Sequence, residues 1–60
     1  MKMKFIVLRK NGEIDYSEQD LEKEPVRGDG IFIGGVGCEI RGYAHTPHLD
    51  HKYHVFVLED

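Results

Sequence analysis

Apolar and polar residues alternate along this chain in short runs bounded by glycine, asparagine and proline, a strand pattern rather than a helical one. The first run is Met3 to Arg9, MKFIVLR. Both of its alternating sets are partly apolar, Phe5 and Val7 on one side and Ile6 and Leu8 on the other. That predicts a strand covered on both faces and central in its sheet. Asn11-Gly12 follows, the strongest short hairpin signal. A two-residue turn centred there sets Lys10 opposite Glu13, Arg9 opposite Ile14 and Val7 opposite Tyr16. Phe5, Val7, Ile14 and Tyr16 would then share one side, and Lys10–Glu13 would be a cross-strand ion pair.

Ser17 to Glu24 (SEQDLEKE) has features of one short helix. Ser17 suits an N-cap, Asp20 stands at the capping-box position, and Tyr16 and Leu21 hold the staple positions. Acids in a first turn complement the helix dipole, and Pro25 ends the run. Such a helix falls below the roughly 12–15 residues that hold alone in water, so a loop is its competitor.

Residues 28–42 hold six of the seven glycines. Arg27-Gly28-Asp29-Gly30 reads as a turn, Ile31-Phe32-Ile33 as a short strand and Gly34-Gly35 as a tight connection. A strand from Val36 or Cys38 to His45, a loop over Thr46–Asp50 and a last strand from Tyr53 to Leu58 complete the chain. Centring the last hairpin on His48 pairs Cys38 with Leu58, Ile40 with Phe56 and Gly42 with His54. It also pairs Glu39 with Val57, Arg41 with Val55, Tyr43 with Tyr53 and His45 with His51. In that register Cys38, Ile40, Phe56 and Leu58 make the core, and Tyr43, Tyr53, Arg41 and Val55 make a stripe on the other face. The expected fold is mostly β: a single small domain over 1–60, a bent antiparallel sheet of four to five strands, SH3-like or another partly open barrel, with a short helix possible at 17–24.

Length narrows the picture further. At 60 residues, a single domain buries only about 60% of the surface its unfolded chain exposes, so its core is marginal. The longest apolar runs, Phe5–Leu8 and Val55–Leu58, are four residues each, far short of the roughly 20 that span a bilayer or the 7–15 of a signal-peptide core. The one cysteine, Cys38, cannot form an internal disulfide, which favours a reducing cytoplasm. Net charge is −3, but residues 13–24 carry six acids and one base, an acidic lobe on a mildly basic body.

Candidate chemistry is sparse. His45, His48, His51 and His54 recur every third residue, and imidazole binds zinc, copper or nickel well. In the hairpin register above, His45, His48 and His51 converge and His54 is turned away, so those three are the conditional metal ligands. No CxxC or HExxH accompanies them, and no cofactor is expected. GDGIFIGGVG lacks the dinucleotide-binding spacing and a following helix, so its glycines belong to turns and bulges. Cys38, on the core face, behaves as a small hydrophobe rather than a nucleophile.

Three readings result. The first is a non-catalytic interaction module, an inhibitor or adaptor of the kind phages and mobile elements encode. It would bind another protein or itself through Tyr43, Tyr53, Arg41 and Val55, since interface cores favour tyrosine and arginine. The second is a small barrel for single-stranded nucleic acid, stacking bases on Tyr43 and Tyr53 with Lys2, Lys4, Arg9 and Lys10 along the backbone; the acidic net charge disfavours it. The third is the histidine-based metal hairpin. No membrane association is expected.

Overall fold

Glycines that adopt a left-handed backbone, together with one polar loop, cut the chain into five strands. A computed structural model describes every residue from Met1 to Asp60. The strands are β1 (Lys2–Leu8), β2 (Ile14–Asp20), β3 (Gly30–Ile33), β4 (Val36–His45) and β5 (Tyr53–Glu59). They form one sheet in the order β2-β1-β5-β4-β3. Neighbours pair antiparallel except β1 and β5, which run parallel at the middle. The sheet curls into a half-barrel with no helix, the small, partly open barrel expected from the sequence.

Two turns fix how the strands meet. Gly34 and Gly35, with φ of 59° and 80°, form the two-residue connection that sets Ile33 opposite Val36. At the first hairpin, the Gly12 N–H donates to the Arg9 carbonyl at 3.0 Å and the Arg9 N–H donates to the Glu13 carbonyl at 2.8 Å. Gly12 has φ of 87°. This is a three-residue loop with a glycine bulge, not the two-residue turn that Asn-Gly first suggests. The added residue shifts the register: Ile14 pairs with Leu8 and Tyr16 with Ile6. Ile14 and Tyr16 therefore leave the side of Phe5 and Val7. The Lys10–Glu13 ion pair does not form; Arg9 Nη1 donates to Asp15 Oδ2 at 2.7 Å instead.

The helix considered for 17–24 is absent, and Ile14 through Asp20 pair residue by residue with β1. Seven cross-strand pairs outweigh one or two unsupported helical turns. Leu21 packs against the core, Pro25 is buried, and the segment after it is tied to β4. There the Gly28 N–H donates to the Ile40 carbonyl, and the Ile40 N–H donates to the Asp29 carbonyl, both at 2.8 Å.

The last hairpin is also displaced from its expected register. Ile40 pairs with Val57, and Gly42 pairs with Phe56, leaving Arg41 as an extra residue at a bulge. Cys38 and Ile40 face inward as expected, but the inward residues of β5 are Tyr53, Val55 and Val57, not Phe56 and Leu58. The inner face thus collects Met3, Phe5, Val7, Ile33, Cys38, Ile40, Tyr53, Val55 and Val57. Phe5 and Val55 are fully excluded from water. Each fully buried aliphatic or aromatic side chain contributes about 1.5–3 kcal/mol, so these nine carry the fold.

Candidate docking face

The two register shifts have a joint result on the outer, convex side of the sheet. Ile6 sits between Tyr16 on β2 and Phe56 on β5, and Leu8 sits between Ile14 and Leu58 in the same way. Directly paired residues project to the same face, so these six side chains form two adjoining apolar rows. Tyr16 is 66% exposed, Ile14 55%, Phe56 47% and Leu8 45%, with Ile6 and Leu58 half-buried between them. Ile6, Leu8, Ile14, Phe56 and Leu58 line, with Arg41, a shallow groove of about 500 Å³. Scattered exposed apolar residues are ordinary, but a contiguous apolar field on one face of a sheet is not.

The margins of this field are polar. The next row toward the amino end of β1 reads Glu18, Lys4, His54 and Ala44 across four strands. Lys4 Nζ stands 5.1 Å from the centroid of the Tyr16 ring, a cation over an aromatic face. At the opposite margin Glu39 follows Leu58. Arg41 takes part in none of the ion pairs of the chain, which leaves its guanidinium available beside Phe56.

The sequence-derived stripe of Tyr43, Tyr53, Arg41 and Val55 does not assemble as a surface. Val55 is fully buried and Tyr53 is 6% exposed, both in the core. The bulge is the cause. It turns Arg41 and Gly42 outward in succession, so Tyr43 returns to the inner side, opposite Val55 and edge-on to Tyr53 at 5.8 Å. Arg41 and Tyr43 thus lie on opposite faces. Burial, with Glu24 second, raises the Tyr53 hydroxyl above its ordinary pKa. The base-stacking platform drawn from the same residues is likewise not formed, and Arg9 is committed to Asp15 and Glu59.

The histidines separate in the same way. His45, exposed to solvent, stacks on Tyr53 at 4.8 Å between ring centroids. His51 Nε2 donates to Glu18 Oε2 at 2.8 Å, and this bond holds the Glu18 carboxyl below its ordinary pKa. His48 lies exposed in the loop. His45, His48 and His51 therefore do not converge, and no three histidine, cysteine or acidic side chains are grouped as a metal site. The close pair is His51 with His54, at 5.8 Å, which the expected register had put on opposite faces. Thr46 Oγ1 donates to the His51 carbonyl at 2.7 Å and meets His54 Nδ1 at 2.9 Å. A hydroxyl has one proton to give, so His54 Nδ1 carries the hydrogen of the second bond. This network, with the Lys52 N–H on the Lys2 carbonyl at 2.9 Å, anchors the 46–52 loop.

Cys38 is 1% exposed; burial first, then the nearby charges of Glu59 and Asp60, push its thiol pKa up. No helix is long and apolar enough to cross a membrane. Comparison with models of known protein families, with characterised proteins and with solved structures yields no match.

The six outer residues are not legible as one face in the sequence because two registers decide it: the three-residue loop at Asn11-Gly12 moves Ile14 and Tyr16, and the Arg41 bulge moves Phe56 and Leu58. One signal was present: Ile6 and Leu8 alternate with Phe5 and Val7, so β1 carries an apolar set for each face.

Proposed function

We propose that this chain is a non-catalytic interaction module that binds another protein, or a copy of itself, through the convex face of Ile6, Leu8, Ile14, Tyr16, Phe56 and Leu58. The observation behind it is the contiguity of that field: two rows of apolar side chains with polar margins, the anatomy of an interface core with its rim. Tyr16 and Arg41 add the residue types that dominate interface energetics. The unpaired thiol of Cys38, buried beside carboxylates, suits a reducing cytoplasm, where we place the module.

The test is capture from the native cell with the chain immobilised through the exposed segment 22–24, which is not part of the face or its margins. A specific partner, or the chain itself, is expected to be retained by the wild type and lost with Leu8→Ser/Phe56→Ser. Both positions are nearly half exposed, so the double variant should keep its circular dichroism spectrum. Equal capture by a folded double variant removes this face from the function.

A further inference from the structure

We propose that the open seam of the half-barrel, between its edge strands β2 and β3, takes an extended segment of another polypeptide as an added strand whose N-terminal end is basic. This site is separate from the convex face and does not depend on it.

β2 and β3 each pair on one side only, and not with each other. The hydrogen-bond pattern locates their free backbone groups. The β1–β2 ladder is bounded by the Arg9 N–H on the Glu13 carbonyl at 2.8 Å and by the Leu21 N–H on the Met1 carbonyl at 3.0 Å. An antiparallel ladder bonds every second pair. Asp15, Ser17 and Gln19 therefore bond to β1, while Ile14, Tyr16, Glu18 and Asp20 direct their N–H and C=O groups away from it, where no other group meets them. On β3 the same alternation, counted from the Ile40 N–H on the Asp29 carbonyl, frees Gly30 and Phe32. β2 thus offers four donors and four acceptors along roughly 20 Å. It carries no lysine, proline or bulge to blunt it. Its three acids are already paired within the chain, Asp15 with Arg9, Glu18 with Lys2 and Asp20 with the Met1 ammonium.

Two cavities lie between these edges. One, of about 290 Å³, is bordered by Tyr16 and Ser17 of β2 and by Ile33 of β3, over Val7. The other, of about 580 Å³, is bordered by Asp20 of β2 and by Gly30 and Ile31 of β3, over Met3 and Phe5. Backbone groups on the rims and an apolar floor between them are what an added strand requires: main-chain bonds hold it, and alternate side chains fill the floor. The segment 21–29 crosses the seam from the end of β2 to the start of β3 and leaves the Tyr16–Ile33 end uncrossed.

Direction and charge follow. Antiparallel pairing is the more stable per residue, and β2 is the longer edge, so the added strand runs against β2. Its N-terminal end then arrives beside Asp20. Glu22, Glu24 and Asp29 line the cavity there and take part in no ion pair, with Lys23 the one lysine or arginine among the lining residues. That surplus of free carboxylate selects a positive end.

Selection against the chain in solution from a phage-displayed library of random peptides of about eight residues, long enough to cover the edge, tests the proposal. Enriched sequences should alternate apolar and polar residues and begin with lysine or arginine. With the best binder as a free peptide, hydrogen exchange at the Tyr16 and Glu18 amides should slow about tenfold or more. Glu18→Pro removes an outward N–H and no bond to β1, and should weaken binding about tenfold or more; Glu18→Thr, which keeps the N–H, should bind as the wild type does. Methylating the peptide's alternate backbone nitrogens that face β2 should abolish binding, a result independent of how the proline variant folds. No enrichment overturns the proposal, as does binding that survives the methylation. Slowed exchange confined to Ile6, Leu8 and Phe56 overturns it too, and edge amides that slow with rising chain concentration alone give the seam to a second copy instead. None of these outcomes bears on the convex face, which Leu8→Ser/Phe56→Ser decides.

Discussion

Adjacent residues Val55 and Phe56 are a direct test of the observed register. Val55 is fully buried between Phe5 on β1 and Tyr43 on β4, while Phe56 is 47% exposed. Threonine has the shape of valine and is equally at home in a strand, so Val55→Thr changes one methyl for a hydroxyl and little else. Every buried side-chain nitrogen and oxygen of the fold is satisfied. The new hydroxyl meets apolar neighbours, and an unpartnered buried hydroxyl costs about 1–3 kcal/mol. A chain of this length has a total stability of about 3–9 kcal/mol. At about 4–8 °C per kcal/mol, Val55→Thr should lower the melting temperature by roughly 4–24 °C. Phe56→Thr keeps strand propensity and removes a half-solvated ring, so its cost should stay within about 1 kcal/mol. Thermal and urea melts at low micromolar concentration measure both. The register expected from the sequence reverses the order: Phe56→Thr would then remove a core ring at about 3–5 kcal/mol, and Val55→Thr would be neutral. A larger loss for Phe56→Thr than for Val55→Thr would refute the inward placement of Val55.

Further outcomes follow from other contacts. Glu59 accepts from the Lys10 N–H at 3.0 Å and from Arg9 Nε at 2.9 Å, in that order of effect on its lowered pKa. Its ordinary value is 4.5, so its contribution is complete above that pH and is lost as pH falls through the lower folded value. Stability against pH should thus decline below about 4.5, and Glu59→Gln should flatten part of that decline; an unchanged acid limb in the variant would exclude the role. Gly35→Ala places a side chain at φ of 80°, where nothing crowds it but the backbone disfavours it, and should cost about 1–2 kcal/mol in a denaturant melt. Cys38 should react with a thiol reagent only through opening of the fold, at a rate that climbs with sub-denaturing urea; rapid labelling in native buffer would contradict its burial.

Strands, turns and the half-barrel were legible because they rest on local chemistry: glycine at Gly34-Gly35, alternation in β1 and β5, the breaker at Pro47. Registers were not, because each turns on a single residue. Asn11-Gly12 fits a two-residue turn and a three-residue turn with a bulge equally well at the level of propensity. The choice is made by which face of Ile14 and Tyr16 the rest of the sheet can use. Arg41 fits a regular alternation in the sequence, yet it is the extra residue of a bulge. Nothing in its own side chain marks it; the neighbouring Gly42 is the one hint of a break. A shift of one residue exchanges the two faces of a strand, which is why Val55 and Tyr53 moved into the core while Ile14 and Tyr16 became the outer field. The parallel pairing of β1 with β5 was also invisible, since it joins segments some fifty positions apart, such as Phe5 and Val55.

That pairing shapes how the molecule must come together. The β1–β2 and β3–β4 ribbons can each close on a short loop of their own, but a lone two-stranded ribbon is marginal in water. Only β5 pairs with both, so joining the ribbons into one sheet requires a strand far along the polypeptide from β1. Chains whose contacts span most of their length self-assemble slowly for their size. Removing 53–59 is therefore expected to leave two disconnected hairpins rather than a trimmed barrel.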